Sequence, residues 1–169
     1  METSKKHENY PIWIVLFSNL ASIAIYALGF LIIHKIGLFF SILYLIFVLT
    51  LEYRVIRHHC INCFYWGKTC GFGKGQISSW FFKKGDNSRF CAKQMTWKDL
   101  IPDILVSAIP LIIGIVLLIF KFDFILISEI LILLLLTIMG NGFIRSTLTC
   151  GHCIQKELGC PADMLFNKK

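Results

Sequence analysis

Three cysteines recur with the same spacing at two places in the chain. Cys60, Cys63 and Cys70 follow the pattern C-x2-C-x6-C, and the same pattern returns 90 residues later at Cys150, Cys153 and Cys160. Two cysteines three residues apart can bind one metal ion when the backbone between them turns tightly, and a third can return to that ion across a loop. In a reducing compartment such pairs indicate metal or redox chemistry rather than structural disulfide bonds.

One further cysteine and two histidines extend the set of candidate ligands. Cys91 lies between the two motifs, His152 lies inside the second, and His59 directly precedes Cys60. Seven cysteines and one histidine suffice for two four-coordinate sites. One assignment groups Cys91 with the first motif and one of the two histidines with the second. Another assignment joins the motifs in a shared site of Cys60, Cys63, Cys150 and Cys153, and the sequence leaves both open.

Zinc is the metal that this donor set favours, because zinc prefers tetrahedral, sulfur-rich sites and commonly uses C-x2-C turns. An iron–sulfur cluster is the alternative, since such clusters are also held by cysteine thiolates. The pair Cys160-Pro161 resembles the cysteine–proline ending of some ferredoxin-type motifs, although the six-residue spacing before it differs from theirs. A thiol pair without metal is a third possibility.

The elements that must position these cysteines are strongly apolar. Hydrophobic residues make up 56% of the 169 residues, which is more than a soluble domain of this size can bury. Apolar runs that approach the length of a membrane-spanning helix cover residues 12–33, 36–50, 104–120 and 124–139. The second is expected to extend to residue 55 and the fourth to residue 148, because a span needs about 20 residues. The sequence therefore predicts an all-α integral membrane protein with four transmembrane helices.

The distribution of basic residues predicts how the four helices are oriented. Of the 17 lysines and arginines, all but Lys35 and Lys121 fall in the terminal and middle segments, which four spans place on one side of the membrane. Because lysine and arginine in short loops stay in the cytoplasm, both termini and all the cysteine motifs are predicted to be cytoplasmic. The net charge of +7 is explained by this topology and by attraction to anionic lipid headgroups, so a nucleic-acid partner is not expected.

The two cysteine motifs and the apolar runs together predict an internal repeat. Residues 1–70 and residues 100–169 each contain two apolar runs followed by one cysteine motif, and residues 71–99 form a basic, aromatic insert between them. Two hairpins with the same orientation are related by a pseudo-twofold axis along the membrane normal. Such an axis brings the two motifs together in a cysteine-rich cytoplasmic cap.

Glu129 is an ionisable residue inside the fourth apolar run. Ionisable groups at such positions indicate a transport or proton pathway by default. The alternative is a carboxyl group near the interface, protonated or paired with Lys121.

The predicted function is that of a membrane protein whose metal-binding cap acts as a structural or docking platform, in contact with lipid headgroups or with a protein partner. No pattern of catalytic residues points to an enzyme. Two other functions remain open: an electron-transfer component with an iron–sulfur site, and a thiol oxidoreductase.

Overall fold

Helices account for most of the structure, which is a computed structural model describing residues 6–92 and 96–166. In chain order the α-helices are α1 (Ile12–His34), α2 (Leu38–His58), α3 (Lys74–Phe81), α4 (Asn87–Ala92), α5 (Trp97–Phe120), α6 (Phe124–Ile138), α7 (Ile154–Gly159) and α8 (Pro161–Phe166). A π-helical segment, Met139–Thr149, prolongs α6, and one-turn 3-10 helices follow α2 and the π-helical segment at Cys60–Asn62 and Cys150–His152.

Four helical stretches are long and apolar enough to cross a membrane, which confirms the four predicted spans. They are Ile12–His34, Leu38–Asn62, Trp97–Phe120 and Phe124–His152. Between 12% and 28% of their most apolar windows is buried inside the protein, so most of the apolar surface faces outward. Lipid is the environment in which such a surface is stable.

The third spanning helix begins earlier than its apolar run. Thr96 and Asp99 form a capping box at the start of α5, in which the Asp99 carboxylate accepts hydrogen bonds from the Thr96 backbone N–H (2.9 Å) and hydroxyl (2.8 Å). The box satisfies donors that a helix start otherwise leaves unpaired. The first turn of α5, which contains Lys98 and Asp99, therefore belongs to the helix although it precedes the apolar run that begins at residue 104.

Helix α1 lies at the centre of the bundle, where it packs against α2, α5 and α6. The core between them is apolar, with Ile32 of α1 and Leu133 of α6 fully buried. The two turns between the paired helices lie together at one end of the bundle. The residues that carry both cysteine motifs lie at the opposite end, which we call the cysteine end.

Tyr44 connects three of these helices, through one hydrogen bond and one close contact. Pro110 has no backbone N–H, so the carbonyl of Val106, four residues earlier in α5, has no helical partner. The Tyr44 hydroxyl of α2 donates to this carbonyl at 2.9 Å. Gly29 of α1 makes room for the tyrosine, because a Cβ atom at Gly29 would lie 2.3 Å from the Tyr44 hydroxyl oxygen.

A charged cluster connects the two turns at the end of the bundle opposite the cysteine end. The Lys35 ammonium group lies 3.2 Å from the Asp123 carboxylate and 3.3 Å from the Glu129 carboxylate. These two carboxylates raise the pKa of Lys35, although burial works against them. Glu129 thus pairs with Lys35 of the first turn, whereas the sequence had suggested Lys121 of its own turn as the partner.

The internal repeat and the division at residues 70 and 99 remain predictions, because the four helices alone do not establish them. The terminal residues 1–5 and 167–169 lie outside the described part of the chain.

We expect Tyr44→Phe to lower the free energy of unfolding by about 1 kcal/mol, because it leaves the Val106 carbonyl without a partner inside the bundle. The measurement is reversible unfolding in mixed micelles of SDS and a mild detergent. Pro110→Ala restores the backbone N–H that pairs with Val106, so the same tyrosine change should cost less in that background. An equal cost in both backgrounds would show that the tyrosine does not stabilise this carbonyl.

Candidate functional site

The two C-x2-C pairs have the same backbone geometry. Each begins at the end of a membrane-spanning helix and forms one 3-10 turn, in which the second cysteine's N–H donates to the first cysteine's carbonyl at 3.3 Å. After the turn both chains become extended, with φ and ψ of −82° and 152° at Cys63 and −85° and 121° at Cys153. This is the tight turn that two sulfur ligands three residues apart require.

The first loop, residues 60–75, closes through two glycines. Gly67 has a φ of +74°, a left-handed conformation that glycine adopts without strain and that turns the chain back toward Cys70. Gly75, in the first turn of α3, packs directly on the loop, since a Cβ atom there would lie 2.1 Å from the Tyr65 carbonyl oxygen. The Gly75 N–H donates to the sulfur of Cys70 at 3.4 Å. Helix α3 therefore holds the third cysteine of the first motif.

The second loop, residues 150–160, docks onto the first. The Phe64 N–H donates to the side-chain carbonyl of Gln155 at 2.7 Å, and the Ile154 N–H donates to the Tyr65 hydroxyl at 3.1 Å. Gln155 and Tyr65 are each 2% exposed, so these bonds are shielded from water. Cys63 and Cys153 both pack against the same apolar cluster around Tyr65.

An N-terminal strap, residues 6–10, ties the two loops together. On the first loop, the Tyr10 N–H donates to the Thr69 carbonyl at 2.8 Å. At the second loop, the Tyr10 hydroxyl donates to the carbonyl of Thr149, the residue just before the loop, at 2.5 Å. The His7 N–H donates to the His152 carbonyl at 3.2 Å. The Tyr65 hydroxyl donates in turn to the His7 carbonyl at 2.7 Å.

Sequence reasoning missed this strap, because a short polar segment before an apolar run has no pattern that indicates partners 58 to 145 residues away. His7 is the one member with a chemical signal in the sequence, since its ring is a possible ligand. Its ring centroid lies 5.3 Å from that of His152.

Burial keeps the thiols between the loops in the neutral form. It raises the pKa of Cys63 to about 12, and the neighbouring Cys153, Cys70 and Cys160 contribute in the same direction, whereas the Tyr65 N–H opposes them. Burial likewise raises the pKa of Cys153, although the backbone N–H groups of Lys156 and Gln155 favour its thiolate. Sulfurs from both motifs therefore lie within electrostatic reach of one another, and a cation between them would stabilise their charged forms.

The Cys91 thiol contacts the loop of the second motif, while its helix α4 also packs against the 3-10 turn of the first motif. Its thiol donates to the Leu158 carbonyl at 3.1 Å and accepts from the Gln155 side-chain amide at 3.5 Å. The sequence-based assignment had grouped Cys91 with the first motif. His59 packs edge-on against Phe90, with ring centroids 6.1 Å apart.

The described thiols are free, and they are not gathered around one point. Within residues 6–92 and 96–166 no three His, Cys, Asp or Glu side chains are close enough together to hold one metal ion. The structure thus brings the two motifs to the same end of the bundle and against one another, without assembling a coordination sphere.

The chain was compared with protein-family models, with curated proteins and with solved structures, and none of them matches. The candidate site therefore has to be interpreted from its own residues.

We expect Gly75→Ala to increase the alkylation rate of Cys70 by at least about tenfold, which corresponds to about 1.4 kcal/mol of local opening. The added methyl group cannot fit against the Tyr65 carbonyl, so α3 must move away from the loop. The rate is measured by mass spectrometry after timed exposure to N-ethylmaleimide. Gly142→Ala is the matched control, because its added Cβ meets no atom within 4 Å. An unchanged rate in Gly75→Ala would mean that α3 does not hold this cysteine.

Proposed function

We propose that this protein is a multi-pass membrane protein whose two cysteine motifs bind metal, zinc rather than an iron–sulfur cluster, and form a cap that organises a docking platform. The observation that carries the proposal is the meeting of two equivalent C-x2-C turns at one end of the bundle. The role is structural rather than catalytic, because closed sulfur-rich zinc sites stabilise loops that have little core of their own.

Three features of the loops support thiolate ligands. Nearby backbone N–H groups favour the thiolate in both motifs, since that of Tyr65 lowers the pKa of Cys63 and those of Lys156 and Gln155 lower the pKa of Cys153, against the larger effect of burial. Gly75 adds another such contact at Cys70. Hydrogen bonds of this kind stabilise metal-bound thiolates and tune the metal. The matching 3-10 turns keep the first two cysteines of each motif on one tight turn, as two ligands of the same ion require.

The placement of Cys91 favours one ligand assignment. Its contacts with Gln155 and Leu158 support grouping it with the second motif, so we assign one site to Cys91, Cys150, Cys153 and Cys160. The other site consists of Cys60, Cys63 and Cys70, with His59 as the fourth ligand. Binding requires the sulfurs to move toward a common centre, because the unbound side chains do not surround one.

The cap faces the cytoplasm in this proposal, and the two hairpins are related by the predicted pseudo-twofold axis. Equal turns at the ends of both hairpins support the repeat. The basic residues concentrated at the cysteine end support the orientation, because translocation of lysine and arginine is unfavourable.

The metal hypothesis predicts two zinc ions per chain in protein purified without chelators or added metal. Elemental analysis should show loss of about one ion in Cys63→Ser, of about one in Cys153→Ser, and of both when the two changes are combined. Cys91→Ser and His59→Gln test the assignment in the same way, and His58→Gln is the matched control for the neighbouring histidine. Stoichiometric zinc that survives both Cys63→Ser and Cys153→Ser would exclude the motifs as ligands.

The same sample separates the electron-transfer alternative from the structural one. Absorption at about 400 nm in anaerobically purified protein, together with equal amounts of iron and labile sulfide, would indicate an iron–sulfur cluster instead of zinc.

The proposed orientation predicts that the native cysteines in intact cells do not react with a membrane-impermeant maleimide. Lys121→Cys should react from outside, because Lys121 lies exposed between α5 and α6 at the end opposite the cysteines. Inverted vesicles treated with a zinc chelator serve as the control and should show the reverse pattern for both groups, because metal-bound thiols react only after the metal has been removed. Labelling of native cysteines in intact cells would show that the cysteine end faces outward, which contradicts the proposed topology.

A further inference from the structure

Helix α3 and the residues that follow it form a basic, aromatic surface beside the membrane-spanning helices. Ile77, Trp80 and Phe81 share one side of α3 at the spacing i, i+3, i+4, and Trp80 and Phe81 are 70% and 74% exposed. The other side, with Gly75 and Ser78, is buried against the first cysteine loop. The helix is therefore fixed to the protein by one face and presents its apolar face outward.

The contacts of this segment place it at the level where the spans end. Before α3, the Phe72 carbonyl accepts a hydrogen bond from Asn19 of α1 at 3.2 Å, and Asn19 lies about 10 Å along the helix from its first residue. After α3, the ring of Phe82 lies 6.0 Å from that of Tyr53, which is about 8 Å before the end of α2. Both ends of α3 thus lie beside the spans and within their outermost turns, so that α3 is at the depth of the membrane interface.

A shallow concavity of about 390 Å³ opens on this surface. It is lined by four aromatic residues, one serine and two lysines: Trp66, Trp80, Phe81, Phe82, Ser79, Lys83 and Lys84. Trp66 is held in place because its indole N–H donates to the Phe82 carbonyl at 3.2 Å. Lys83 and Lys84 are exposed, and neither forms an ion pair with a carboxylate of the residues that the structure describes.

We propose that this surface binds the headgroup of an anionic phospholipid, with the phosphate between Lys83 and Lys84 and the adjoining acyl chain against Trp80 and Phe81. Charge complementarity selects an anionic lipid, and the depth of α3 selects a lipid over a soluble anion. Tryptophan at the interface and lysine near the headgroups are the residues that stabilise such contacts. This inference rests on the proposed docking platform and identifies its partner as an anionic phospholipid.

The test uses the full-length protein in nanodiscs, with Trp13 and Trp97 replaced by phenylalanine so that only Trp66 and Trp80 report. Discs of phosphatidylcholine receive the same small fraction of brominated phosphatidylglycerol or brominated phosphatidylcholine, and bromine quenches tryptophan on contact. We expect stronger quenching by the brominated phosphatidylglycerol than by the brominated phosphatidylcholine. Each lysine should enrich the anionic lipid at this surface about fivefold, because a basic residue near anionic headgroups contributes about 1 kcal/mol. Lys83→Gln with Lys84→Gln should remove the difference, whereas Lys121→Gln, at the opposite end of the bundle, should leave it unchanged.

Salt provides a readout that needs no substitution at the lysines. Raising the salt concentration should abolish the preference of the otherwise unaltered protein, because exposed charges are screened. Equal quenching by the two brominated lipids at low salt would overturn the inference. Quenching by aqueous iodide and by neither lipid would overturn it as well, since α3 would then face water. Zinc content measured on the same discs shows separately whether the metal-binding cap is present.

Discussion

The interior of a bilayer contains no water to pair with backbone N–H and C=O groups, and the four long apolar helices have to meet this constraint. It requires the apolar runs to be helical throughout and makes an unpaired carbonyl costly wherever a helix contains proline. The Val106 carbonyl, released by Pro110, shows how the protein meets the requirement. Tyr44 from another helix supplies the missing donor, and Gly29 allows it to approach. A local defect in α5 thereby becomes a contact among three helices.

The same constraint places both cysteine motifs at one end of the bundle. Helices that cross the bilayer in pairs return the chain to the side from which it started, so each cysteine motif follows a hairpin and emerges at the same surface. The polar loops then satisfy their backbone groups by pairing with each other through Gln155 and Tyr65 and with the N-terminal strap. Little apolar core is available there, which is the situation in which a bound metal contributes most to loop stability.

Several contacts at both ends of the bundle link segments that are far apart in the sequence. Lys35 reaches Asp123 and Glu129 across the turns, and Cys91 reaches the loop that contains Leu158. Partners of this kind cannot be predicted from local spacing, because they depend on which helix faces become neighbours after packing. For Glu129, the sequence suggested Lys121 because it lies in the adjoining turn, whereas Lys35 comes from a turn 88 residues away from Asp123.

The sequence by itself determined the four spans, because about 20 apolar residues in a row have no other stable environment than lipid. The start of α5 also depends on local bonds, since Thr96 and Asp99 cap the helix through groups only three residues apart, although the apolar run alone begins at residue 104. The twin C-x2-C turns were predictable as well, because their geometry is local. Tertiary structure alone decided that the two loops dock through Tyr65, that residues 6–10 bridge them, and that α3 lies beside the spans with its aromatic face exposed. These outcomes depend on shape and burial summed over separate helices, which no single stretch of sequence encodes.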